Sequence, residues 1–282
     1  MKKRLHILIG LLFLLFSCTE NPFFTDTIDT PNRISVEGKV ALNDDANPAG
    51  VFVWLERFNL STFTDSSGYF KLKLPDPHLQ PGEGLNGVYS IYFYLANFKV
   101  KTASLLLLNG QIEYGKGDVN ENGRIKNTIV LQKILDIATE IIPAKVQDDN
   151  KDPLDIVITL NNQIDSVHVA TYKHITGQTS CIIIKPEDKP IESAILLQGI
   201  GTELRDEWIT QKTVWLMRYQ FSVGFFSPGK YEFIPYIIIY QDELPDELIA
   251  AIDEEALSFT YRFLNLPFKQ KTGHLTVSKS VD

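Results

Sequence analysis

The sequence predicts an all-β protein: two tandem β-sandwich domains, the second carrying one short helix. Three observations carry that expectation. Short runs rich in Val, Ile, Tyr, Phe and Thr recur along the chain, separated by the Gly, Pro, Asn and Asp that turn a backbone. Alternation is explicit in places: Tyr69, Lys71 and Lys73 interleave with Phe70, Leu72 and Leu74, a strand with one wet face and one buried face. A charged stretch poor in apolar residues, Asp148–Pro153, falls near the middle, where a join between two cores is expected.

The first residues are a targeting signal. Met1-Lys2-Lys3-Arg4 is a short positive region and Ile7–Phe16 an apolar run too short for the roughly 20 residues of a membrane-spanning helix. Its ending, Leu15-Phe16-Ser17-Cys18, resembles the lipobox of bacterial lipoproteins. That resemblance implies removal of residues 1–17, acylation of Cys18, and a membrane partner held through the lipid. Two or three acyl chains, at about 0.8 kcal/mol per buried methylene, make such an anchor stable. Thr19, where lipoproteins retained in the inner membrane usually carry Asp, implies the outer membrane by the same resemblance. Residues 18–32 then read as a lipidated tether: polar, with Pro22 and Pro31, and able to extend on the order of 45 Å.

Losing Lys2, Lys3 and Arg4 moves the formal charge from −8 to −11. A surface that acidic repels nucleic acid and anionic headgroups, so no nucleic-acid partner is expected and attachment falls to the lipid. About 265 remaining residues suffice for two ordinary domains. Only Cys18 and Cys181 exist, so once Cys18 is acylated no intramolecular disulfide can form. Cys181, in SCIIIK, reads as a small core residue.

The first sandwich is expected over residues 33–147. Ile34–Leu42, Val51–Phe58, Tyr69–Pro75 and Val88–Leu108 supply its strands, with turns at Asn43–Gly50, Asp65–Gly68 and Asn109-Gly110. Ile129–Ile142 reads as one long or bulged strand closing it. Within this stretch Val36-x-Gly38-x-Val40, Pro48-Ala49-Gly50-Val51-Phe52-Val53 and Thr64-Asp65-Ser66-Ser67-Gly68-Tyr69-Phe70 resemble the carboxypeptidase regulatory-like domain, a transthyretin-like sandwich. The resemblance covers about Ile34 to Leu74 and implies an accessory module without catalytic residues.

The second sandwich, Ig-like or fibronectin-like, is expected over residues 153–282. Leu154–Leu160, Asp165–Lys173, Ser180–Pro186, Thr213–Phe226, Lys230–Gln241, Leu257–Leu264 and His274–Lys279 are its strands. The helix is expected over Asp246–Leu257, with Pro245 at its start and acids in its first turn. Asp253-Glu254-Glu255 reads as its solvated face.

Chemistry-bearing patterns are sparse. Asp118, Asn120 and Asn122 with Gly123 and Ile125 resemble the front of an EF-hand or dockerin calcium loop, but its closing position is Ile129 rather than a carboxylate, so an Asx-rich turn is expected instead. His78, His168, His174 and His274 lack metal-ligand spacing. No nucleophile elbow, P-loop or dinucleotide fingerprint is present, and Asp242-Glu243 and Asp246-Glu247 read as loop and helix-start residues. No cofactor is expected.

Tryptophan remains as the lead. Core packing is the expected role of each of Trp54, Trp208 and Trp215; Trp54 should point away from Val53 and Leu55, and Trp208, in ELRDEWIT, should be the most exposed. The expected role is a non-catalytic, lipid-anchored envelope protein, a scaffold or interaction module with a protein or glycan partner. A glycan-binding lipoprotein with an aromatic rim formed by Trp54 and Trp208 is the alternative. A hydrolase with a site between the domains is a third.

Overall fold

The computed structural model describes residues 33–280. The leader, Cys18 and the tether lie outside them. The described residues from Ile34 onward form one compact, all-β unit built around three buried clusters.

The first cluster lies between two sheets. Strands β1 (Ser35–Leu42), β2 (Phe52–Leu55), β3 (Leu60–Phe63), β4 (Tyr69–Lys73), β5 (Gly87–Tyr94), β6 (Lys101–Leu108), β7 (Gln111–Ile112) and β8 (Ile129–Leu131) pair in the orders β4-β1-β8 and β3-β2-β5-β6-β7. Val36, Val40, Phe70 and Leu72 of one sheet meet Val53, Leu55, Ile91 and Phe93 of the other. The turn before β4 forms as its residues dictate. The Asp65 carboxylate accepts from the Ser67 and Tyr69 amides, and Gly68 sits at φ +76°, where a Cβ would strike the Val40 carbonyl.

The second cluster is enclosed by β9 (Leu135–Ile142), β10 (Lys145–Gln147), β11 (Leu154–Asn162), β12 (Val167–His174), β13 (Cys181–Pro186), β14 (Ile195–Gln198), β15 (Thr202–Ile209), β16 (Thr213–Tyr219), β17 (Gly229–Pro235), β18 (Ile238–Ile239) and β19 (Gly273–Ser278). They pair in the orders β16-β11-β9, β15-β12-β18 and β10-β19-β17-β13-β14.

Three expectations are corrected here. The stretch Ile129–Ile142 is two strands, and they part company: β8 pairs parallel with β1, whereas β9 pairs antiparallel with β11 along its whole length. The first core therefore ends near Leu131, and Asp148–Pro153 is a connection between β10 and β11 of the second core. Leu257–Leu264 is not a strand. Thr260 caps a 3-10 turn, Tyr261–Asn265, and Phe259 and Phe263 both pack on Tyr236. The helix α1 is shorter than expected, Asp246–Ile252, because Asp253 is extended and its carboxylate accepts from the Glu255 amide and pairs with Arg262 and Asn265. That carboxyl is held below the usual carboxylate range, by the Glu255 amide first; Asp253 is a turn residue, not part of a solvated face.

The third cluster joins the first two. Phe52, Trp54, Tyr94 and Ala96, on the outer face of the first sandwich, pack with Cys181, Ile183 and Ile234 of the second, with Leu248 and Ile249 of α1 and with Phe263 and Leu266. Asn97, fully buried, fastens the same junction. Its amide donates to the Leu135 and Lys269 carbonyls and its carbonyl oxygen accepts from the Lys269 amide. Gln241 adds a second tie, accepting from the Val100 amide and donating to the Phe98 carbonyl.

Candidate aromatic binding site

Strand alternation puts Trp54 where expected, on the opposite face from Val53 and Leu55, but that face is covered. Trp54 is 4% exposed and stacks obliquely on Tyr92, so as a rim residue it is corrected to a core residue. Its indole nitrogen has no hydrogen-bond partner among the described residues. It still borders a cleft of about 630 Å³ between the first sandwich and α1, walled by Glu56, Arg57, Tyr92, Glu247 and Glu254.

Trp208 is the exposed one, at 61%. It lies on β15, an edge strand of its sheet, directly across from His168 of β12. The two rings stack at 4.6 Å and 10°. Tyr240, just beyond β18, closes on the other side of His168 at 4.7 Å, and its amide donates to the His168 carbonyl. Three rings thus form a continuous ledge. Asp206, two residues before Trp208 on the same face of β15, lies 2.8 Å from His168 Nε2, and that contact holds its carboxyl below the ordinary value, hence charged at neutral pH. The ledge borders an open groove of about 390 Å³ that also takes in Ser166, Asp242, Glu243 and Lys99. Lys99 and Glu243 form a loose ion pair at 3.9 Å.

Trp208 was legible in the sequence and the ledge was not. His168 enters there only as one of four scattered histidines and Tyr240 carries no local signal, while Asp206 shares the face of Trp208 by alternation but gains its partner only when His168 is placed against it. Cross-strand register, a long-range property, is what assembles them. Trp215 is buried beneath the Lys173 ammonium, 4.8 Å from its ring centre.

The remaining candidates are structural. Asp118 accepts from the Ser104 amide and hydroxyl, which lower its pKa, and Asn120 accepts from the Asn122 and Arg124 amides. Asn120 thus closes the turn between Val119 and Ile125, which themselves pair, and Asp118 ties that turn to β6. His168 and His174 lie six residues apart along one strand, about 20 Å. Among the described residues no three His, Cys, Asp or Glu side chains are grouped to hold a metal ion. Cys181 is buried within reach of the Thr171 hydroxyl, and burial raises its pKa.

No protein-family model matches the chain, and no curated protein matches it. Among solved structures, the major pilin subunit of Bacillus cereus aligns over 71% of this chain and 63% of its own at 12% identity and a TM-score of 0.25. The BSP domain of a biofilm-associated protein aligns over 88% of this chain and 28% of its own, at 10% identity and a TM-score of 0.19. The TIE protein of Bacillus anthracis covers 74% and 31% at 10% identity and 0.21. The chain spans less than two thirds of each of these proteins. Overlaps of this size carry no functional argument.

Proposed function

We propose that this chain is a non-catalytic envelope lipoprotein, anchored through Cys18, whose two joined sandwiches hold the Trp208 ledge out to a partner molecule. The observation that carries the reading is the ledge itself. A large residue left more than half exposed on an edge strand, its ring stacked on a histidine that a carboxylate holds in turn, is a surface arranged for contact. The lipobox-like Leu15–Cys18 supports the anchor, and residues 18–32 the stand-off from the outer membrane. The Thr64–Phe70 stretch supports reading the first sandwich as a carboxypeptidase regulatory-like accessory domain. The third core supports the rigidity of the arm, because Phe52, Trp54 and Asn97 bury the junction between the sandwiches.

Two substitutions in the native host test the reading together. Cys18→Ala is expected to shift the protein from the membrane to the soluble envelope fraction. Trp208→Ala is expected to leave fractionation and folding unchanged while abolishing retention of envelope material by the immobilised protein. Equal membrane retention of the Cys18 variant contradicts the anchor, and equal retention by the Trp208 variant contradicts the ledge.

A further inference from the structure

The geometry points to a neutral saccharide as the ligand of the Trp208–His168–Tyr240 ledge, a step that rests on the ledge being the binding surface. The class follows from the chemistry around the three rings. One face of the Trp208 ring is taken by His168, and the residue as a whole is 61% exposed. An exposed indole ring suits the C–H face of a pyranose, which offers a plane of weakly positive hydrogens to the negative face of the ring. Hydroxyls projecting from the rim of such a ring need acceptors. Asp242 and Glu243 supply carboxylates along the groove and Ser166 a neutral hydroxyl, and Asp206 offers a further carboxylate beside His168. The groove of about 390 Å³ falls in the range of small-ligand sites.

Charge selects within the class. Carboxylates outnumber the fixed cation Lys99 around the groove, so uronic acids, sulfated sugars, phosphates and nucleotides are repelled. The same field also attracts a basic peptide, so the choice of a sugar rests on the exposed ring, and the hexalysine arm of the test separates the two. What remains is a set of hydrogen-bond acceptors beside an exposed ring, the complement of a neutral polyol.

The test is calorimetric titration of the purified full chain with neutral hexasaccharides of β-linked glucose, α-linked mannose and β-linked N-acetylglucosamine. A hexamer of an anionic uronic acid and hexalysine are run beside them. The expected result is binding of at least one neutral hexasaccharide, weakened at least tenfold by Trp208→Ala and by Asp206→Ala, partly kept by Trp208→Tyr, and absent for the uronic acid. Thermal melts of each variant keep a folding defect distinct from a lost contact. Hexalysine binding that depends on Trp208, with no neutral sugar bound, overturns the saccharide class and leaves the ledge as the binding surface. Sugar binding that is unchanged in the Trp208 and Asp206 variants overturns the assignment to the ledge. No Trp208-dependent binding of any probe overturns the saccharide proposal, and the envelope-retention experiment then decides separately whether the ledge binds anything.

Discussion

Trp54 and Trp208 occupy equivalent places in their strands and opposite places in the molecule. Each lies on the face its strand turns away from its own sandwich core. Around Trp54 that face is roofed by the second sandwich, α1 and the Tyr261–Asn265 turn, leaving 4% of the residue exposed; around Trp208 it is left open. Alternation along a strand therefore assigns a side chain to a face, and only the arrangement of further layers decides whether that face is core or surface. The distinction separates a residue that holds the molecule together from one free to hold something else.

Breaking the covered face should have the largest effect. Trp54→Ala removes the largest side chain of the junction and is expected to cost about 3–5 kcal/mol in denaturant unfolding. Because Phe52, Trp54 and Tyr94 share a core with Cys181, Ile183 and Tyr236, wild type is expected to unfold in one transition, and the variant to separate it into two. A loss under 1 kcal/mol would mean the face is not packed. Asn97→Ala comes next, at about 3 kcal/mol, since it strands the buried Leu135 carbonyl and both polar groups of the Lys269 backbone. A near-neutral result would show that water replaces those bonds.

The open face should respond far less. Trp208→Ala is expected to change stability by about 1 kcal/mol or less, the scale of one exposed aromatic stack, while removing the ledge. Smallest of all is the acid dependence of the Asp118 turn. The Ser104 amide and hydroxyl depress its pKa, so its contribution is fully present above the ordinary carboxylate value, about 4, and is lost as pH falls through the lowered one. The melting-temperature advantage of wild type over Asp118→Asn should therefore shrink as the pH is taken down from about 4. An advantage that stays constant over that range would remove the charge from the explanation.

Much of the β architecture was legible because the chain writes it locally. Tyr69–Lys73 alternates, Leu154–Leu160 alternates, and Asp65–Gly68 contains the acceptor and the glycine its turn needs. What was illegible is what depends on partners. β15, Thr202–Ile209, buries only Ile209, since as an edge strand it has little to cover and so shows no apolar period. The apolar side of β9 is as plain in the sequence as that of β8, yet nothing local says that one pairs with β11 and the other with β1. Tyr261–Asn265 is aromatic enough to read as strand, and Thr260 capping with two phenylalanines on Tyr236 wins instead. At the site, exposure of Trp208 followed from its polar neighbours. His168 and Tyr240 reach it only through the pairing of β12 with β15 and β18, whereas Asp206 shares its face of β15.

The contrast between the covered and the open tryptophan is tested most directly by acrylamide quenching of tryptophan fluorescence in wild type, Trp54→Phe and Trp208→Phe. Trp54 and Trp215 are 4% and 8% exposed against 61% for Trp208. A readily quenched component is expected in wild type and in the Trp54 variant, and is expected to vanish with Trp208→Phe. A quenchable component that survives in the Trp208 variant and disappears with Trp54→Phe would contradict it, placing the open aromatic surface on the first sandwich instead.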